Sequence, residues 1–237
     1  FAVFDIDGTL IRWQLYHAMT DALAKEGHID QAIYQTAKDA RMIWKKRTHA
    51  ESFKSYEKKL IGAYETVLKG IAPAQLERVT LRVFDEYKEQ VYTYTRDLIK
   101  ELKTKKYVLL AISGSQIEIV KKVADYYGFD DCVGTVYKQK GGKFTGQKII
   151  GSADKAQVLQ ALIAKHGLEL KDSIAVGDSL SDVSMLEMVE QPIVLNPEKK
   201  LFEHAKARDW KVVLERKNMV YELEKSSGQY QLVKPNT

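Results

Sequence analysis

The chain has 237 residues, 45% of them hydrophobic and 29% charged, with a formal net charge of +5 at pH 7. This composition fits one large or two smaller globular domains and excludes disorder over most of the chain. No apolar run approaches the roughly 20 residues that cross a bilayer, and no secretory segment precedes the first strand, so we expect a cytoplasmic protein. The single cysteine, Cys132, excludes an internal disulfide and is expected in the core.

The first ten residues contain an apolar run that stops at two aspartates. Residues 1–4 predict a buried strand, and Gly8 followed by Thr9 predicts the tight turn that ends it. Asp5 and Asp7 therefore stand at the carboxyl end of a strand, where open α/β sheets bind ligands. Taken alone, the pair fits a capped turn equally well, so the later strand ends must decide.

Residues 14–95 carry apolar side chains at helical spacing, in stripes bounded by Gly27, Gly70 and Pro73. From residue 96, helices alternate with short apolar strands, which predicts a parallel sheet covered on both faces. The strands are predicted at 107–112, 132–136, 173–177, 192–195 and 211–214. A hairpin is expected around Gly141 and Gly142.

About eighty helical residues separate the first strand from the next core strand, which is too long for one crossover. We therefore predict a core domain formed by residues 1–12 and 96–214, with residues 13–95 inserted as a helical domain. Residues 215–237 are polar and are predicted to form a poorly ordered or peripheral tail.

Basic residues outnumber acidic residues by eight to three between Lys38 and Lys59. The basic residues are Lys38, Arg41, Lys45, Lys46, Arg47, Lys54, Lys58 and Lys59, and the acidic residues are Asp39, Glu51 and Glu57. The segment fits a solvated helix face, or alternatively a surface that attracts an anionic ligand or a polyanion.

Polar residues also follow the later strands. Ser113 and Gly114 come after a buried strand and are expected to open a helix, where a hydroxyl and free N–H groups bind an anion; Ser is also a common N-cap. Lys155 begins a helix, where a cation opposes the helix dipole and is mildly disfavoured for a purely structural role. Asp178 and Asp182 follow a strand that ends at Gly177.

Four such elements in this order resemble the four motifs of the haloacid dehalogenase superfamily. The matching residues are Asp5-Ile6-Asp7-Gly8-Thr9-Leu10, Ser113-Gly114, Lys155, and Gly177-Asp178 with Asp182. The resemblance is closest to phosphoserine-phosphatase-like members with a helical cap after the first motif. It implies a Rossmann-like, doubly wound parallel sheet with an inserted all-helical cap domain, to which the small hairpin is added.

The resemblance implies a Mg²⁺-dependent phosphatase of small phosphorylated metabolites. Asp5 would be the nucleophile and form an aspartyl-phosphate, and Asp7 would be the general acid and base. Ser113, Lys155 and backbone groups near Gly8 and Gly114 would bind the phosphoryl oxygens. The Asp5 carboxylate, the Asp7 carbonyl and Asp178 would bind Mg²⁺, with Asp182 as an outer ligand or an orienter of metal-bound water.

The substrate is expected to be a phosphomonoester other than phosphoserine. Phosphoserine phosphatases carry a glutamate where this chain has Gln14, and an ungapped match from Phe53 puts Leu60 at the place of their cap arginine. Arg12, Trp13 and Gln14 are the expected substrate contacts next to the first motif. Phosphoserine hydrolysis and phosphomutase chemistry remain alternatives, as does a polyanion-binding protein with a vestigial site. We expect neither a membrane nor a nucleic acid as a partner, and we expect the chain to be a monomer or a homodimer.

Overall fold

The computed structural model describes residues 1–46, 52–217, 219–226 and 228–236. Two charged residues of the segment between Lys38 and Lys59, Arg47 and Glu51, lie outside these ranges. The helices and strands, in chain order, are β1 (Ala2–Phe4), α1 (Leu15–Lys25), α2 (Gln31–Lys45), α3 (Ser52–Leu68), α4 (Pro73–Tyr87), α5 (Thr93–Thr104), β2 (Leu109–Gln116), α6 (Ile117–Tyr127), β3 (Asp131–Lys140), β4 (Lys143–Ile149), α7 (Lys155–His166), β5 (Ile174–Gly177), α8 (Val183–Leu186), β6 (Gln191–Leu195), α9 (Lys199–Ala207), β7 (Lys211–Arg216), β8 (Met219–Ser226) and β9 (Gln229–Asn236).

The chain forms two compact units. One consists of Phe1–Arg12, Tyr87–Thr135 and Ile150–Thr237, and the other of Trp13–Glu86 and Val136–Ile149. The second unit thus contains helices α1 to α3, all of α4 except Tyr87, strand β4, and the part of β3 from Val136 onward. The domain boundaries proposed from the sequence stay a prediction. Among the described residues, no helix is both long enough and apolar enough to span a membrane.

A parallel sheet forms the centre of the first unit. Its strands lie in the order β3, β2, β1, β5, β6, β7, β8, β9, and those from β3 to β7 run parallel. β1 is short and fully buried between two neighbours, which explains its uninterrupted apolar sequence. The predicted α/β class with a parallel sheet is confirmed.

The register of β1 sets the position of the residues that follow it. Phe4 pairs with Ala111 of β2 and with Val176 of β5. Parallel strands present their carboxyl ends at the same edge of a sheet. Asp5, Ser113 and Asp178 therefore lie next to one another at this edge. Beneath this edge, alternate strand residues pack with α7, α8 and α9 in one core; they include Val3, Leu110, Ala175, Leu159, Met185 and Leu201.

The end of the chain differs from the sequence prediction. The expected tail from residue 215 contains the end of β7 and two further strands, β8 and β9, which extend the sheet by antiparallel pairing. Tyr221 and Leu223 alternate with Glu222 and Glu224, a period of two that is typical of a half-exposed strand. The polar composition of this segment reflects an exposed sheet edge and face, and the expectation of poor order was wrong for the described residues.

The second unit packs its helices around aromatic residues. Tyr56 and Leu60 of α3 are fully buried against Ala37 and Ala40 of α2. Asp30 accepts the N–H groups of Ala32 and Ile33 and so caps α2. The hairpin turns at Gly141 and Gly142, as predicted, and both glycines have positive φ.

Candidate active site

A compact turn follows β1 and carries the first acidic motif. The Asp5 N–H donates to the Val176 carbonyl at 3.0 Å, and the N–H groups of Leu10 and Ile11 both return to the Ile6 carbonyl. Gly8 lies at φ +86°, a left-handed conformation that favours glycine. These hydrogen bonds and the conformation of Gly8 hold the backbone of Asp5 and Asp7 in place.

Gly8 also lets the turn approach Asp178 closely. A Cβ at this position would lie 2.3 Å from Asp178 Oδ2, so a side chain there would displace the carboxylate. The Gly8 N–H donates to the Ile11 carbonyl at 2.9 Å, and the contact of backbone groups near Gly8 with a phosphoryl oxygen stays a prediction. What Gly8 contributes is backbone contact with Asp178, and Thr9 Oγ1 donates to the same carboxylate at 3.3 Å.

Lys155 lies at the centre of the acidic residues. Only 2% exposed, it donates from Nζ to Asp5 Oδ1 and to Asp182 Oδ1, both at 2.6 Å, and to the Ile112 carbonyl at 3.1 Å. Burial opposes its charge, but the carboxylates of Asp182 and Asp5 outweigh burial and raise the Lys155 pKa. Asp154 caps α7 by accepting the Gln157 N–H at 3.1 Å, so the helix begins at the lysine as predicted.

Asp182 is fully buried and uses both of its oxygens. Its Oδ2 accepts the N–H groups of Asp178 and Ser179 and the Ser179 hydroxyl, while Oδ1 accepts Lys155. A Cβ on Gly177 would lie 2.5 Å from the Asp182 Cβ, so this close packing requires glycine. Asp182 makes no side-chain cap to α8 and instead closes the loop that holds Asp178.

The negative charge of the cluster exceeds the charge of Lys155. Asp5, Asp178 and Asp182 each place a carboxylate oxygen within 4.8 Å of the others. Burial, only partly offset by Lys155, and the carboxylates of Asp182 and Asp7 raise the pKa of Asp5 to about 7. Burial followed by Asp5 raises the pKa of Asp178 well above its ordinary value. Oxygen ligands with surplus negative charge fit a hard divalent cation such as Mg²⁺.

Asp7 contacts two serines of β2. Ser113 Oγ donates to Asp7 Oδ2 at 2.6 Å, and Ser115 Oγ donates to Asp7 Oδ1 at 3.0 Å. The sequence predicts that Ser113 opens a helix, but β2 continues through Gln116 and α6 begins at Ile117. Ser113 is therefore a strand residue and not an N-cap, and the expectation that it opens a helix was wrong.

Ser115 and Thr135 belong to the site although the sequence did not single them out. Ser113 and Ser115 are two residues apart, and a strand places such residues on one face, so extending the predicted strand would have found Ser115. Thr135 Oγ1 donates to the Gly114 carbonyl at 2.7 Å and accepts the Gly151 N–H at 3.3 Å. Thr135 thereby links the serine segment to the loop that precedes Lys155.

Arg12 pairs with a residue outside this cluster, and Gln14 belongs to the second unit. Arg12 forms an ion pair with the buried Glu215 and lies over the Tyr92 ring. Glu215 also accepts the N–H groups of Thr93 and Tyr94 and so caps α5. Gln14 precedes α1 in the second unit and makes no side-chain cap there. Their predicted contacts with substrate stay a prediction.

Comparison with known proteins agrees with this geometry. The profile of the haloacid dehalogenase-like hydrolase family matches residues 2–187. A Mycobacterium tuberculosis protein named phosphoserine phosphatase SerB1 is 28% identical over 149 residues, 61% of this chain and 48% of that protein. A Methanocaldococcus jannaschii protein named phosphoserine phosphatase is 25% identical over 188 residues, 78% of this chain and 80% of that protein. The chain thus spans about half the length of the first relative and most of the second.

The fold is also similar to a solved structure. A Bordetella pertussis protein of unknown function superposes with a TM-score of 0.73 at 24% identity, covering 89% of this chain and 96% of that one. At this identity the likeness concerns the fold alone. The family match covers most of the chain and includes the three strands whose carboxyl ends carry the acidic residues and Ser113, together with the helix start that carries Lys155. The chain therefore belongs to the haloacid dehalogenase-like hydrolases.

Proposed function

We propose that this protein is a phosphatase that hydrolyses a small phosphomonoester through an aspartyl-phosphate on Asp5. One observation carries the proposal: the buried Lys155 bridges Asp5 and Asp182 at 2.6 Å while Asp178 lies beside them. This ammonium donates to two carboxylates as well as a carbonyl, at the end of the sheet where open α/β folds bind ligands. Such clustering of perturbed carboxylates in a family of hydrolases favours a catalytic role.

Asp5 is the proposed nucleophile. Lys155 holds its Oδ1, which leaves Oδ2 to attack phosphorus in line with the leaving oxygen. The new bond joins phosphorus to Oδ2, the bond to the leaving alcohol breaks, and Asp7 gives its proton to the departing oxygen. In the second step Asp7 takes a proton from the water that hydrolyses the aspartyl-phosphate. Ser113 and Lys155 provide hydrogen bonds to the phosphoryl oxygens.

Mg²⁺ is the proposed cofactor. When bound, it neutralises charge between the phosphate dianion and the carboxylates, which otherwise repel one another. Asp5 and Asp178 are the proposed carboxylate ligands, with the backbone carbonyl of Asp7 as a third. Asp182 accepts four hydrogen bonds from protein donors, which suits a residue that orients the others better than a direct ligand.

The proposed substrate is a small phosphomonoester other than phosphoserine. Gln14 is neutral, so it offers no ion pair to an ammonium group. Leu60, the position matched to a carboxylate-binding arginine, is fully buried in the core of the second unit. Phosphoserine remains a second candidate because two relatives carry the name phosphoserine phosphatase and one of them is covered over 80% of its length.

A panel of phosphorylated metabolites, including phosphoserine, tests the proposal. We expect phosphate release with Mg²⁺ and loss of release with EDTA. We also expect a phosphorylated form of the protein that loses its phosphate on treatment with hydroxylamine, because hydroxylamine cleaves acyl phosphates. Asp5→Asn should abolish both release and labelling. Full activity of that variant would overturn the mechanism, and preference for phosphoserine over every other member of the panel would overturn the substrate assignment.

A further inference from the structure

Two serine hydroxyls from one strand hold opposite oxygens of the Asp7 carboxylate. Ser113 donates to Oδ2 and Ser115 to Oδ1, at 2.6 and 3.0 Å. The function proposed above uses Ser113 for the phosphoryl group but assigns nothing to Ser115. The inference that follows rests on that proposed function.

Ser113 cannot serve both partners at once. A hydroxyl has one proton to donate, so a hydrogen bond from Ser113 to a phosphoryl oxygen ends its donation to Asp7 Oδ2. Oδ2 is then the oxygen that becomes available to the leaving group, while the bond from Ser115 to Oδ1 is unaffected. The two serines thus differ in what happens to them when substrate binds.

The surroundings of Ser115 fix its hydroxyl. The residue is only 3% exposed, and its N–H donates to Ser113 Oγ at 2.9 Å. The preceding carbonyl, that of Gly114, accepts from the buried Thr135 at 2.7 Å. With the backbone held on both sides, the Ser115 side chain has little freedom to turn away from Asp7.

We propose that Ser115 is a positioning residue that keeps Asp7 aimed at the leaving oxygen while Ser113 binds the phosphoryl group. It acts through Asp7 and does not touch the substrate. During formation of the aspartyl-phosphate, the bond between phosphorus and the leaving oxygen breaks, and the proton on Asp7 Oδ2 moves to that oxygen. Without Ser115, Asp7 loses the hydrogen bond to its Oδ1 that orients the carboxyl group, and this proton transfer is impaired.

The leaving group provides a direct test. p-Nitrophenyl phosphate releases a stable phenolate and needs little help from an acid, whereas glycerol phosphate releases an alkoxide that must be protonated. For Ser115→Ala we expect kcat/KM for glycerol phosphate to fall about 10- to 100-fold, with a change of less than about 3-fold for p-nitrophenyl phosphate. The ratio kcat/KM is used because it reports the first step, in which the leaving group departs.

Ser113→Ala is the matched control from the same face of β2. It removes a phosphoryl contact common to both substrates, so both kcat/KM values should fall by a similar factor. Ser115→Cys, which nearly keeps the size of the side chain, should repeat the selective loss, and it replaces Ser115→Ala if circular dichroism shows that the alanine variant does not fold. Equal losses on the two substrates, or no loss on either, would overturn the positioning role. A wild-type chain inactive on both would instead overturn the proposed function, and this inference with it.

Discussion

The two units each bury a basic side chain, and they do so in opposite ways. Lys155 of the first unit is charged and donates to three oxygens. His17 of the second unit is 1% exposed, and neither ring nitrogen has a hydrogen-bond partner among the described residues. Its ring instead packs edge-on against those of Trp13, Tyr56 and Trp44. Burial followed by the charge of Arg41, partly offset by Asp21, lowers the His17 pKa to about 3.

This difference separates a reactive site from a packed core. Burial and neighbouring carboxylates raise the pKa of Asp5 and of Asp178, which costs stability and is tolerated where charge is used for chemistry. The rings around His17 keep the imidazole neutral and treat it as an aromatic residue. A buried ionisable group therefore indicates function only when its partners are themselves ionisable and arranged toward a ligand.

The largest expected effect is that of Lys155→Met. Removing the ammonium leaves Asp5 and Asp182 without their shared donor and removes the proposed contact to the phosphoryl group, so kcat should fall on the order of 10³-fold. Lys165→Met is the control, because Lys165 is on the same helix and forms an exposed pair with Asp131. Its activity should match that of the unmodified protein in the same Mg²⁺ assay. Comparable losses of activity in both variants would show that the loss comes from disturbance of α7 and not from removal of the Lys155 ammonium.

The second prediction uses one glycine from each unit. Gly8 and Gly27 have φ of +86° and +79°, but a Cβ on Gly8 would strike Asp178, whereas a Cβ on Gly27 would meet nothing within 4 Å. Alanine at either position should cost about 1 kcal/mol of unfolding free energy through backbone strain. Only Gly8→Ala should also lower activity, by about 10²-fold, because it displaces Asp178. Thermal unfolding and phosphate release measure the two effects, and an active Gly8→Ala variant would contradict the close contact.

The third prediction concerns the pH dependence of the unfolding free energy. His17 has a pKa lowered from 6.5 to about 3 in the folded state, so the unfolded chain binds a proton that the folded chain excludes. The contribution of neutral His17 to the free energy of unfolding is complete above pH 6.5 and is lost as the pH falls toward 3. Between pH 7 and pH 5 the loss should be about 2 kcal/mol. In urea titrations followed by circular dichroism, His17→Phe should lose this part of the pH dependence. A variant with the same slope as the unmodified protein would show that other groups cause it.

The sequence predicted the acidic strand edge because its signals are local. Apolar runs that end in Asp5 or in Gly177 followed by Asp178 can be recognised within a few residues, and parallel strands then bring their ends together. The cluster of Asp5, Lys155 and Asp182 follows from that topology. The hydrogen bonds of Asp7 could not be predicted in this way, because the sequence Ser-Gly-Ser-Gln is typical of a loop, whereas in the structure the strand continues through it. Pairings between distant segments carry no local signal, and Arg12 with Glu215 is such a pair, 203 residues apart.

Arg12 gives the smallest predicted effect and tests the substrate contact proposed from its position after the first motif. In the structure its guanidinium pairs with the buried Glu215, which also caps α5 through Thr93 and Tyr94. Because those two N–H groups still satisfy the carboxylate, Arg12→Ala should cost only about 1 kcal/mol of unfolding free energy. If the ion pair is its whole role, KM stays unchanged, and Glu215→Gln lowers stability in the same direction without altering KM. An increase in KM for Arg12→Ala alone would show that the arginine exchanges Glu215 for the substrate, and Arg12 would then be a substrate-binding residue.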